Sequence, residues 1–501
     1  MSDPGNAKYR QYLGIEELGF RFGQSSSIIS QLSHWLRSSL NPLQVTISPS
    51  RTAIQVRGAS VLLAQKLFGI PLSSVESVHG DRLVRCVDTM ASCDIQLPEQ
   101  YMDVIESIEG LADFPPLKLL QSARIRASLA SDINITPKEI FVQYGIPMDP
   151  SKNCNNSAQS VAEFSGSNWL QSYSPTDLTS FQKLYGLVVQ PIAKLYGKNA
   201  PTQPTGEATL DIQYIMAAGQ GVPTWFWGET GSYLDYLIHV ENEPNGPLVH
   251  SISYSIGDEM YLDPSHMNTI NNHFKLIAVR GISLIWASGD EGTGNTGMFG
   301  CGQFSPGFPA SSPYITSVGA TSLTKSNFEA DTGMASLPYG EHAAQYSGGG
   351  FSTLFSSPAY QRTFLQNYFK AEKANLPPAS YYNATGRGFP DVSAVGTNFL
   401  VVVGGIGGPP MPVSGTSAAT PIFSAMLAMI NNELIAAGKR PIGFANPALY
   451  AAPSSIWHPI TQGNNACYPC NVGFTAAAPW APISGLGAPD FEKLKTYFLS
   501  L

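Results

Sequence analysis

The segment PMPVSGTSAATPIFSAMLAMINNEL, residues 410 to 434, sets a glycine, a threonine and a serine before an apolar run. The run predicts a helix, with Ser417 in its first turn and Pro421 early enough to be tolerated. Backbone N–H groups at that point lack intrahelical partners and the helix dipole is positive, which favours a developing negative charge. A serine hydroxyl is nevertheless a weak nucleophile without a base, and alone the tripeptide reads first as a Ser/Thr cap on a core helix. The eight histidines do not supply that base. None has a telling surround, and only His458 follows Ser417. Gly-Thr-Ser-Ala-Ala is also not the Gly-x-Ser-x-Gly elbow of lipases and esterases, so Ser-His-Asp chemistry is disfavoured.

Carboxylates fit better. In TGEATLDIQYIMAAG, Glu207 and Asp211 stand four residues apart and share one helix face. Exposed, they would be an ordinary acidic surface. Buried, two like charges resist joint ionisation and hold a proton between them, so one can accept a serine proton while the other positions it. In LIWASGDEGTG an apolar strand ends just before Asp290, in a glycine-rich loop. A turn aspartate is the plain reading. Its place at a strand's carboxyl end is where ligand sites form in open α/β sheets, and a protonated carboxyl there can donate a hydrogen bond to an oxyanion.

These residues require a particular scaffold. From about residue 138 onward, strand-like runs (GPLVHSISYS, GISLIWASGD, SPYITSVGAT, NFLVVVGG) alternate with helical patterns such as HMNTINNHFKLIAV. That alternation predicts an α/β fold, a doubly wound and mostly parallel sheet covered on both faces. Residues 1–115 read as a smaller α+β unit, with two short strands around a turn in LQVTISPSRTAIQVRG. Residues 116–137 read as a linker and 138–501 as the large domain.

Composition narrows the function. At 501 residues two domains are expected. The net charge of −8 argues against nucleic acid as a partner. No stretch reaches about 18 apolar residues, so no membrane span is expected, and the polar N-terminus lacks a signal-peptide core. Six cysteines are compatible with disulfides. Cys467 and Cys470 form a single C-x-x-C, without the second pair a zinc site needs. Sequons occur at Asn134, Asn155 and Asn383.

Taken together, TGEATLDIQYIMAAG, ASGDEGTG, FPASSPYITSVGAT, SGGGFS, YYNATGRGFPDVSA and SGTSAATP resemble the sedolisins, the serine-carboxyl peptidases. The order Glu, Asp, Asp, Ser matches, and the likeness spans nearly the whole chain. It implies a subtilisin-like fold behind an N-terminal prodomain that inhibits the enzyme until removed. SDPGNAKYRQYLGIEEL resembles the later part of that prodomain, and Met1 starts inside the match. By resemblance, Ser417 is the nucleophile and Glu207 its general base. Asp211 holds Glu207, and Asp290 is the protonated oxyanion donor beside the Ser417 N–H. Peptides or unfolded proteins are the implied substrates, cleaved as tripeptides from free N-termini or internally. A secreted or lysosome-like acidic setting is implied as well. A glutamate base, with an ordinary pKa of about 4.3, is poised for work near pH 3–5.

The family carries calcium near its C-terminus, bound partly by two aspartates. Here the matching positions are Pro459 and Ala481, so no calcium and no other cofactor is expected. The likeness further implies a bridge from Cys301 to Cys467 or Cys470. Cys86 and Cys93 would close a loop, and Cys154 has no assigned partner. The alternative to a working enzyme is a catalytically silent relative serving as a binding or inhibitory module.

Overall fold

Eight strands build the central sheet: β1 (Gln159–Phe164), β2 (Lys194–Gly197), β3 (Thr224–Glu229), β4 (Val249–Ile252), β5 (Ser283–Ala287), β6 (Thr316–Thr324), β7 (Gly340–Ala343) and β8 (Val392–Val395). Their order is β7-β6-β5-β4-β1-β3-β2, with β8 also pairing with β6. Every pairing is parallel except β6 with β7. The computed structural model describes residues 1–76, 82–86, 95–111, 133–148, 154–166, 169–294, 302–325, 338–404, 409–466 and 471–501.

The central strands are buried on both faces, which is why they read as continuous apolar runs rather than alternating ones. Successive side chains serve opposite layers. Val161, Phe226 and Ile285 join one core, and their neighbours Ala162, Trp227 and Trp286 join the other. The first layer holds helices α1 (Gly206–Ala218) and α4 (Thr416–Ala436), which pack against each other. The second holds α2 (Tyr233–Asn242) and α3 (Pro264–Val279), packed side by side. Both α1 and α4 are buried nearly all round, as helices embedded in a core are.

The N-terminal unit has its own core, built by Leu32, Leu36, Leu40, Phe68 and Tyr101. The predicted hairpin forms, pairing Gln44–Ile47 with Ile54–Arg57. The unit docks on the outer helices through carboxylate acceptors. Thr52 donates to Glu241 at 2.7 Å, Ser232 to Glu109 at 3.1 Å and Asn272 to Glu106 at 2.5 Å.

Two expectations are corrected. NFLVVVGG does not join the central sheet: Phe399–Val401 pairs with Met411–Val413 in a separate antiparallel ribbon, with one parallel bridge from Phe399 to Ile135. Pro421 is not at the tolerated first position, because α4 begins at Thr416 and Pro421 stands in its second turn. It therefore removes the hydrogen bond that would have reached the Ser417 carbonyl. Most of the expected linker lies outside the described residues, as do Cys93, Cys301, Cys467 and Cys470. Cys86 is disulfide-bonded. Among the described residues no helix is long and apolar enough to cross a membrane.

Candidate active site

The four residues read from the sequence come from one end of the sheet. Glu207 and Asp211 occupy the first turns of α1 and are 2% and 0% exposed. An acidic surface face is thereby excluded. Asp290 follows β5, and Ser417 lies in the first turn of α4, alongside α1.

Asp290 is tied to the start of α4. Its Oδ1 accepts the Thr416 N–H at 2.7 Å and the Thr416 hydroxyl at 2.9 Å. The expected Ser/Thr cap is replaced: Gly415 is the N-cap residue, and the carboxyl arrives from another loop. A carboxyl oxygen at a helix N-terminus satisfies an orphan donor and meets the positive end of the dipole. The other oxygen, Oδ2, lies over Gly415, where an added Cβ would stand 2.9 Å from it. Glycine is needed there because of this close approach.

The acidic pair is in fact part of a trio. Glu163, near the end of β1, is fully buried, and its Oε2 accepts the Tyr254 hydroxyl at 2.6 Å. Asp211 Oδ2 accepts the Ser253 hydroxyl at 2.7 Å. Ser253 and Tyr254 directly follow β4, so every element of the site meets at the carboxyl ends of β1, β4 and β5. Glu163 Oε1 and Asp211 Oδ1 meet no hydrogen-bond partner among the described residues. Burial pushes the Glu163 carboxyl up to about 7, against the opposing Tyr254 hydrogen bond. Asp211 is raised well above the ordinary carboxylate range, first by burial, then by the neighbouring charges of Glu207 and Glu163, with Ser253 acting the other way. Desolvated like charges hold protons. The trio can therefore hold protons where α1 packs against α4.

The subtilase family model matches residues 186–438, and the pro-kumamolisin activation domain matches residues 1–114. Tripeptidyl-peptidase 1 of Canis lupus familiaris is 32% identical over 99% of this chain and 87% of its own length. The chain belongs to the sedolisins. Tripeptidyl-peptidase 1 of Homo sapiens is 31% identical over the same shares. Among solved structures, a Pseudomonas sedolisin complexed with pseudo-iodotyrostatin superposes with a TM-score of 0.56, at 22% identity. That match covers 74% of this chain and 99% of the Pseudomonas chain, and shows the shared fold. This sedolisin thus has the subtilisin-like α/β fold of its family of serine-carboxyl peptidases, preceded by a prodomain.

Sequence reasoning missed Glu163, Ser253 and Tyr254. The available signal was a single acid inside the apolar strand QSVAEF, where an unpaired charge is costly. It went unread because β1 itself was not among the recognised strands.

Proposed function

We propose that this sedolisin is an acid-acting serine peptidase made as a zymogen. Glu207 takes the Ser417 Oγ proton as Oγ bonds to the scissile carbonyl carbon. The carbonyl π electrons move to oxygen, and the oxyanion receives hydrogen bonds from protonated Asp290 and the Ser417 N–H. Collapse breaks the C–N bond while Glu207 returns the proton to the leaving amine, and water then repeats the sequence on the acyl-enzyme. Asp211 positions Glu207. Asp290 Oδ1 accepts two hydrogen bonds from Thr416, so in this reading the donated proton sits on Oδ2.

The observation that carries the reading is the buried carboxylate trio on elements packed against the serine helix. Such a site needs protons, which supports work near pH 3–5 and an acidic compartment or exterior. The substrates are peptides or unfolded proteins. The likeness to tripeptidyl-peptidase 1 favours release of tripeptides from free N-termini. Residues 1–115 act as the inhibitory prodomain, with cleavage in 116–137. A peptide aldehyde or fluorophosphonate should label the activated protein at pH 4 and fail on Ser417→Ala. Equal labelling of the variant would refute the assignment. One unblocked and one N-acetylated peptide then separate the two cleavage modes: cutting only the unblocked one marks a tripeptidyl-peptidase.

We also propose that the C-terminal loop needs no calcium. Pro459 and the fully buried Ala481 supply no carboxylate, and calcium requires six to eight oxygens including charged ones. The local carbonyls have other partners. Ala481 O accepts from Ser484 and Gly485, Pro482 O from Asn465 at 3.3 Å, and Ile483 O from Ser347 at 3.0 Å. The melting temperature should be unchanged by a chelator, and a drop of several degrees would overturn this.

A further inference from the structure

A cavity of about 560 Å³ lies where the N-terminal unit meets the end of the peptidase unit. Five cationic side chains line it, Lys8, Arg10, Arg21, Lys439 and Arg440, against one carboxylate side chain, Glu17. Glu17 is engaged by Arg21 at 2.6 Å. Met1 and Leu501 also line it, and their terminal ammonium and carboxylate offset each other, so four positive charges remain in excess in a chain of net charge −8 with 28 Lys and Arg.

Arg10 marks the cavity as more than a chance of surface charge. It is 6% exposed, and its Nε finds no acceptor among the described residues. Its φ of +57° is the left-handed conformation that a branched-free, non-glycine residue adopts only at a cost. Its Nη2 reaches the Phe498 carbonyl at 3.4 Å, and the guanidinium stands over the Tyr9 ring at 4.8 Å and the Phe498 ring at 6.0 Å. A buried guanidinium with an unused N–H calls for a planar or tetrahedral oxyanion. Both faces of the cavity are basic, since Lys8 and Arg10 come from the N-terminal unit and Lys439 and Arg440 from the peptidase unit.

We propose that this cavity binds a multivalent oxyanion, sulfate or a condensed phosphate, which latches the prodomain onto the peptidase unit. The anion attracts both basic faces at once, and the site disappears once the prodomain leaves. The latch rests on the prodomain reading above, whereas the binding does not.

The test uses the intact, unprocessed chain at pH 6, titrated calorimetrically with sodium sulfate or inorganic pyrophosphate, with chloride at equal ionic strength as control. One saturable site is expected, with Kd weakened at least tenfold in the exposed double variant Lys8→Gln/Arg440→Gln and in Arg10→Gln. Equal heats from chloride, or an unchanged Kd in the double variant, would overturn the site. Prodomain release at pH 4 should be slowed several-fold by sulfate in the wild type and not in the double variant. Binding without that slowing refutes the latch. A chain that never processes at pH 4 refutes the zymogen reading instead, and the calorimetry still decides the anion.

Discussion

Glu163→Gln is the most informative substitution, because it removes a titrating proton while keeping shape and an acceptor for Tyr254. In the folded protein Glu163 holds its proton up to about pH 7, against an ordinary 4.5. The unfolded chain gives that proton up near 4.5, so between those values folding takes up a proton and stability falls as pH rises. The displacement corresponds to about 3 kcal/mol. That stabilisation is fully present below pH 4.5 and lost by pH 7. Glutamine does not titrate, so the variant should gain on the parent by about 3 kcal/mol between pH 4 and pH 7.5. Urea unfolding of the peptidase unit, followed by tryptophan fluorescence at several pH values, reads this difference. Both chains would carry Ser417→Ala to prevent self-digestion. Parallel stability–pH curves, within about 0.5 kcal/mol, would refute the buried, protonated Glu163.

His250 should behave in the opposite sense. Its Nε2–H donates to the Pro247 carbonyl at 3.1 Å, while Nδ1 meets the Ser160 and Tyr236 hydroxyls at 2.8 and 2.9 Å. Burial pushes it down to about 3, so stability is lost as pH falls from 6.5 toward 3, and His250→Gln should gain on the parent by several kcal/mol at pH 4 relative to pH 7, read by the same unfolding curves. Asp290→Asn should lower kcat by about 10²–10³ with little change in KM, measured on a fluorogenic peptide at pH 4. Asp290→Ala should in addition cost about 1–2 kcal/mol of stability through loss of the α4 cap, visible as a lower melting temperature than that of the asparagine variant.

The parts of this molecule legible in the sequence were those with local signatures. The i, i+4 spacing of Glu207 and Asp211 puts both on one face of α1, and the apolar run after Ser417 is α4. Apolar strands at 249–252, 283–287 and 316–324 lie in the sheet as expected. What escaped depended on distant contacts. Nothing local to Phe399–Val401 distinguishes a ribbon strand from a sheet strand, since both are short apolar runs. Glu163 becomes significant only when β1 is set beside β4, and Thr416 looks like a cap until Asp290 takes its N–H from more than a hundred residues away. The cavity around Arg10 likewise joins residues from the two ends of the chain.

The bond from the Thr416 N–H to Asp290 Oδ1 has a spectroscopic consequence. A backbone amide hydrogen-bonded to a carboxyl feels that carboxyl's charge directly, and here no other residue intervenes. The Thr416 amide resonance is therefore a built-in indicator of the Asp290 ionisation state. A pH titration of ¹⁵N-labelled protein, followed at that single cross-peak, would report when Asp290 carries its proton without any substrate being turned over.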